Sequence, residues 1–199
     1  MNRSANGRRI VISGLGFITC LGNDRASVTR SLREQRHGLA PFDYLSGAPL
    51  PVRVAGTIKE FDTSSEHFAD WRWPARYTLT REMLRSLPPH GVHAYCAIEQ
   101  VIAEARLAPE DITSERTGLF TASAGSPFLQ RLALNQMHAS KGERLVPLAV
   151  VSTIAGTLNF NLGAHYGIRG AVCGFTSACA STAHAIGYAV DEIALGRLQ

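Results

Sequence analysis

Short apolar runs bounded by glycine, proline and polar turns alternate with longer stretches whose apolar positions recur at helical spacing, which predicts an α/β chain. The first run, Ile10-Val11-Ile12, is β-branched and closed by a Gly turn, so it predicts a buried strand. Asn23 or Asp24 then offers an N-cap for a helix over 25–34. The polar, Pro- and Gly-containing stretch 38–53 reads as loop and edge structure, with a short strand following over 52–58. Phe61-Asp62-Thr63-Ser64-Ser65-Glu66 predicts a helix start leading into an aromatic, Arg-bearing segment over 71–85, whose aromatics are assigned to packing. Pro88-Pro89-His90-Gly91 interrupts the chain before a core helix over 92–106, on which Val92, Cys96, Val101 and Ala105 lie near helical spacing.

Further along, a second buried strand is predicted over 117–122, a turn at Ser123-Ala124-Gly125-Ser126-Pro127 and a helix over 128–138. A loop over 142–147 precedes an apolar helix over 148–166, whose Ser152, Thr153, Asn159 and Asn161 need internal hydrogen-bond partners. A strand over 171–176 then runs into a helix over 179–195. No internal repeat or linker divides this order, and one domain over 1–199 is expected.

Composition narrows the class. The 199 residues are 45% hydrophobic and 18% charged, with 18 glycines, enough apolar material for a core and a balance suited to a sheet covered on both faces. The net charge of +4 rests on Arg at every basic position except Lys59 and Lys141, and is not read as a nucleic-acid signal, although it can steer an acidic partner. Cys20, Cys96, Cys173 and Cys179 form no C-x-x-C pair and have no His at zinc-finger spacing, so neither disulfides nor a metal site is indicated and a reducing, cytoplasmic setting is expected. The chain has no run of the roughly 18 apolar residues that a membrane-spanning helix needs.

Two N-terminal signals compete with the strand. Arg8-Arg9 before an apolar run ending at Cys20 imitates a lipoprotein-type export signal, but Thr19 is a poor residue before a cleavage site and three glycines between 14 and 22 would break the helix. Gly14-x-Gly16, with Glu34 about 20 residues on, imitates a dinucleotide fingerprint whose third glycine is replaced by Thr19. A turn between strand and helix accounts for these glycines without a cofactor.

The segment that carries chemistry is Thr176-Ser177-Ala178-Cys179-Ala180-Ser181-Thr182-Ala183-His184. A cysteine between a strand and a helix sits near the positive end of a helix dipole, where the thiolate is favoured and the nucleophile activated. Ala178, Ala180, Ser181 and Ala183 permit a sharp turn and a close-lying substrate chain, and the Cys179 N–H can stabilise a tetrahedral oxyanion. These features suit acyl transfer; the plain alternative is a buried, inert thiol. His184, five residues on, would point away from the sulfur and is read as structural.

This segment resembles the active-site motif of the elongating β-ketoacyl-[acyl-carrier-protein] synthases, of the thiolase superfamily. The likeness runs from Arg9-Ile10-Val11-Ile12-Ser13-Gly14-Leu15-Gly16 through Ala55-Gly56-Thr57-Ile58-Lys59-Glu60-Phe61-Asp62 and Leu107-Ala108-Pro109-Glu110-Asp111-Ile112 to the end. It implies a thiolase-like α-β-α layered fold, of which this chain is the N-terminal half. It also implies that Cys179 takes an acyl group from acyl carrier protein (ACP), and that malonyl-ACP loses carbon dioxide and attacks the thioester to give a 3-oxoacyl product, in fatty acid or polyketide-type synthesis. No metal or redox cofactor is implied, since acyl groups arrive on the phosphopantetheine of ACP.

By the same resemblance Ala124, Gly125 and Ala178 border the acyl pocket, and the strand over 172–176 pairs across a homodimer axis. Arg72, Arg76, Lys141 and Arg144 are the candidate ACP-docking residues, with a solvated face as the alternative. The family's two catalytic histidines, its lysine and its Gly-rich loop belong to the second half of a synthase. His37, His67, His90, His93, His138 and His165 fall outside those motifs, and a chain ending at Gln199 is expected to expose the face meant for its mate. An incompetent fragment serving as an interaction or dimerisation module is therefore the competing expectation. Cys20 stands where proline is usual, and Arg106 where glycine is usual.

Overall fold

The computed structural model describes residues 9–46, 49, 51–144 and 147–199. The chain divides into two compact units. Arg8, part of the imitation export signal, lies outside the described residues.

The unit formed by Ser13–Thr78 and His93–Ala105 is built on a long helix. Helix α1 (Arg25–Arg33) is capped by Asp24, whose carboxylate accepts the Ser27 N–H at 2.7 Å. Strand β1 (Leu39–Pro41) leads into α2 (Asp43–Ser46) and pairs antiparallel with β2 (Val54–Gly56), inside the strand expected over 52–58. The helix start expected at 61–66 does not form. Asp62 turns its carboxylate onto the Ser64 N–H and hydroxyl, and its backbone pairs with Arg72, so the polar side chains close a turn. A 3-10 turn follows at Phe68–Asp70; beyond it Trp71 and Tyr77 are buried, as packing aromatics should be.

Helix α4 (Pro89–Ala105), preceded by α3 (Arg81–Leu84), begins earlier than expected. Pro89 occupies its first turn, where a missing N–H costs nothing, so the proline run starts the helix and places His90 within it. In the unit just described, α4 carries the Gln100 side chain, which takes the Phe17 N–H at 3.1 Å and donates to the Asn23 carbonyl at 3.0 Å and the Tyr77 hydroxyl at 2.8 Å.

Segment 9–18 belongs to no strand among the described residues. Val11 and Ile12 are 69% and 81% exposed, so the expected buried strand at Ile10-Val11-Ile12 is corrected: a β-branched run becomes a strand only where another backbone completes its ladder. The glycines are explained differently too. A Cβ on Gly16 would lie 2.0 Å from the Ala97 carbonyl oxygen, and one on Gly14 2.8 Å from that of Val101. They permit close approach to α4, not a phosphate cradle.

The other unit holds the strands that matter for the site. After α5 (Pro109–Ile112), strand β3 (Leu119–Ala122) pairs parallel with β4 (Val172–Phe175), Leu119 opposite Val172 and Ala122 opposite Phe175. Between them run α6 (Pro127–Ala139), α7 (Ala149–Thr153) and α8 (Thr157–Tyr166), the crossover that a parallel pair requires. The single helix expected over 148–166 is thus broken at 154–156. Ile154 turns extended, and the Thr153 carbonyl is taken by the Ser126 N–H at 2.8 Å. The four polar side chains of this segment find internal partners: Asn159 accepts the Thr121 hydroxyl, Asn161 bonds Ser86, and Ser152 and Thr153 bond carbonyls one turn back.

Alternation along the strands gives the layers. Thr121 and Gly174 meet Asn159 of α8, whereas Phe120 and Phe175 meet Tyr188 of α9 (Ser181–Ala194), so the sheet carries a helix on each face. No helix among the described residues is long and apolar enough to cross a membrane.

Two substitutions test this packing. Gly16→Ala should destabilise by about 2–3 kcal/mol, because its methyl meets backbone that cannot rotate away. Arg106, just past α4, has φ 57, so Arg106→Gly should stabilise by roughly 0.5–1 kcal/mol. Urea midpoints at constant slope check both.

Candidate active site

β4 ends at Phe175 and α9 begins at Ser181, leaving residues 176–180 to turn the chain. Ala178 lies at its centre with φ 47, a left-handed conformation that costs a residue with a Cβ on the order of 1 kcal/mol. The turn is clasped from inside by Ser181, which is buried. Its hydroxyl accepts the Ser177 N–H at 2.7 Å and donates to the Ala178 carbonyl at 2.8 Å. Backbone bonds from Ala180 to Ser177 and from Ser181 to Ala178 complete it.

Held this way, Cys179 is exposed at the outside of the turn. It sits one residue before the N-cap Ala180, so the helix expected from 179 starts two residues later and the thiol stands beside its positive end, not within it. Among the described residues the Cys179 N–H has no acceptor. One residue thus offers a nucleophilic sulfur and a free donor for the oxygen of a carbonyl under attack. The inert-thiol alternative fits Cys96 instead, which is fully buried and whose thiol pKa burial pushes up to about 12. His184 is exposed on α9.

The turn after β3 stands at the same edge. The Ser123 N–H reaches the Phe175 carbonyl at 3.3 Å, and the Thr176 hydroxyl donates to the Ser123 carbonyl at 2.7 Å, stitching the two turns together. Ala124 and Gly125 follow Ser123. Gly125 has φ +77, and a Cβ there would lie 2.3 Å from the Thr153 carbonyl oxygen, so the position accepts only glycine. Ala124, Gly125, Ala178 and Cys179 therefore gather at the carboxyl end of one parallel strand pair, where α/β sheets place their sites. Behind Gly125, Thr153 and Ile154 also line an apolar cleft of about 360 Å³ with Leu134, Met137 and Val150.

Two residues escaped sequence reasoning. Ser181 reads in the sequence only as a small residue, although a serine four residues past the turn's start can cap it. His90 falls outside the motifs, yet its Nε2 lies 3.1 Å from the Ser123 hydroxyl, 33 residues away. Burial pushes the His90 imidazole pKa down.

The four basic candidates divide between the units. Arg72 and Arg76 lie in the first-described unit, exposed, with the Arg72 guanidinium bonding the Trp71 carbonyl at 2.9 Å and that of Arg76 lying over the Tyr77 ring at 4.9 Å. Lys141 and Arg144 lie in the other, exposed just past α6.

Residues 7–199 match the family described as "Beta-ketoacyl synthase, N-terminal domain". The chain belongs to this family. A 3-oxoacyl-[acyl-carrier-protein] synthase 1 of Haemophilus influenzae is 32% identical over 192 residues, which are 96% of this chain and 44% of that protein. The chain thus spans under half the length of this relative. The solved β-ketoacyl synthase of Burkholderia phymatum superposes with a TM-score of 0.76 at 24% identity, over 94% of this chain and 44% of that one. A chain of the structure solved as "type II PKS acyl-carrier protein in complex with its ketosynthase bound to the hexaketide" gives a TM-score of 0.72 at 19% identity, over 95% of this chain and 47% of that one. The thiolase-like fold of the ketosynthases is therefore the fold of this synthase domain.

Thiol chemistry tests the site. In the native protein iodoacetamide should modify Cys179 first and leave Cys96 untouched until denaturation, as peptide mapping will show. Ser181→Ala should slow the Cys179 reaction and lower stability by about 1 kcal/mol, through loss of the clasp.

Proposed function

We propose that this domain supplies the nucleophile and part of the acyl site of a condensing enzyme, a 3-oxoacyl-[acyl-carrier-protein] synthase of fatty acid or polyketide-type synthesis. The observation that carries the reading is Cys179, exposed on a clasped turn with a backbone N–H that has no acceptor among the described residues, in a chain of the β-ketoacyl synthase family. The Cys179 thiolate attacks the carbonyl of an acyl thioester, and the carrier's sulfur leaves as a thiolate, to be protonated by water, as the acyl-cysteine forms. The Cys179 N–H bears the oxyanion of that step. A malonyl thioester then loses carbon dioxide, and its carbanion attacks the acyl-cysteine, forming a carbon–carbon bond and releasing the Cys179 sulfur. This chemistry calls on no metal or redox cofactor.

The acyl groups arrive on the phosphopantetheine of ACP, a cytoplasmic partner whose acidic surface suits basic residues on either unit, Arg72 and Arg76 on the one and Lys141 and Arg144 on the other. The solved relative's ACP complex supports this partner. Ala124, Gly125 and Ala178 border the acyl chain, their small size leaving room at the turn. A homodimer through β4 is part of the same reading. Val172 is 42% exposed, and among the described residues β4 pairs with β3 alone. The whole of 1–199 serves as the N-terminal half of the enzyme.

Condensation assays with acyl-ACP and malonyl-ACP test this reading in the protein that carries this sequence. Wild type should form 3-oxoacyl-ACP, and Cys179→Ala should form none. Reversing the charge of Lys141 and Arg144 together should raise KM for ACP substrates, with little change for acyl-pantetheine. Absence of product from wild type would leave an interaction or dimerisation module instead.

A further inference from the structure

The turn between β3 and α6 is anchored at both ends by backbone. Ser123 is tied to Phe175 and Thr176, and Ser126 to the Thr153 carbonyl. The two residues between, Ala124 and Gly125, are the ones that the functional reading places against the acyl chain. Their course depends on one side chain: the Ser123 hydroxyl accepts the Gly125 N–H at 3.0 Å. That hydroxyl is engaged on its other side by His90 Nε2 at 3.1 Å.

We propose that His90 and Ser123 form a positioning pair that sets the shape of the Ala124-Gly125 turn, and through it which acyl chains the site accepts. The proposal rests on the condensing-enzyme reading for its substrate. The order of donors is Gly125 N–H to Ser123 oxygen, and Ser123 O–H to His90 Nε2. A neutral imidazole has the acceptor nitrogen this needs, and the burial of His90 favours the neutral ring.

Gly125 cannot relax by moving back, because Thr153 and Ile154 stand behind it. The same two residues line the apolar cleft between α6 and α7, so a shift of the turn is passed to the wall of that cleft. The bonds of its backbone to the Phe175 carbonyl of β4 and to the Thr176 hydroxyl hold Ser123 whether or not His90 is present, so the pair governs the turn beyond it and leaves the Cys179 turn in place. Neither residue touches the reacting atoms.

Competition between a short and a long acyl-pantetheine thioester, read as acyl-Cys179 by mass spectrometry, tests the proposal. Ser123→Ala and His90→Leu should each change the ratio of the two acylation rates by about fivefold, the worth of one hydrogen bond. His90→Gln, whose amide oxygen can take the place of Nε2, should keep the wild-type ratio. Iodoacetamide should alkylate Cys179 at the wild-type rate in all three.

An unchanged ratio in Ser123→Ala and His90→Leu would overturn the proposal. So would an equal loss of both acylations together with slower alkylation, which marks general damage. Wild type that is alkylated but takes neither thioester would overturn the functional reading instead. In that event amide exchange at Gly125 still decides the positioning role: faster in Ser123→Ala and His90→Leu but not in His90→Gln supports it, and equal exchange in all refutes it.

Discussion

Two parallel strands cannot be joined by a hairpin, and their carboxyl ends must point the same way. From that constraint follows most of what makes β3 and β4 useful. The chain leaves β3, crosses through α6, α7 and α8, and returns on β4, so the turns after each strand meet at one edge. Hydrogen bonds from Ser123 to Phe175 and from Thr176 to Ser123 lock them together. The strained residue of one turn, Ala178, precedes Cys179, and the left-handed residue of the other, Gly125, faces the end of α7. The strain at Ala178 is held by surrounding contacts, the arrangement by which folds keep reactive groups presented.

The same logic separates the cysteines by environment. Cys96 lies within the packed face of α4, where burial disfavours its thiolate, while Cys179 stands on a turn held open from within by Ser181. Reactivity here is a matter of which backbone carries the thiol, and the sulfur itself is identical in both. Around Cys179 the neighbours Ala178 and Ala180 are small and exposed, so neither side chain covers the thiol.

Much of this was legible in the sequence where the physics is local. The cap at Asp24, the small residues around Cys179 and the turn at 123–127 all rest on neighbours within a few positions, and all appear where they were expected. What failed depended on distant groups. Ile10-Val11-Ile12 has the composition of a strand, but a ladder needs a second backbone that composition does not reveal. The helix expected over 148–166 breaks because the Thr153 carbonyl is claimed by Ser126, 27 residues earlier. The helix start expected over 61–66 fails because the Asp62 carboxylate, which can equally cap a helix, closes a turn onto Ser64, two uses that local sequence does not separate. His90 meets Ser123 across 33 residues, so only the folded chain could pair them.

The central claim is that Cys179 is the residue that accepts an acyl group. Incubation with an acyl-pantetheine thioester, followed by proteolysis and mass mapping of the labelled peptide, tests it directly. The account predicts one acyl group on the peptide containing Cys179, released by hydroxylamine as thioesters are. An acyl group stably carried by any other residue, with Cys179 still free to alkylate, would contradict it.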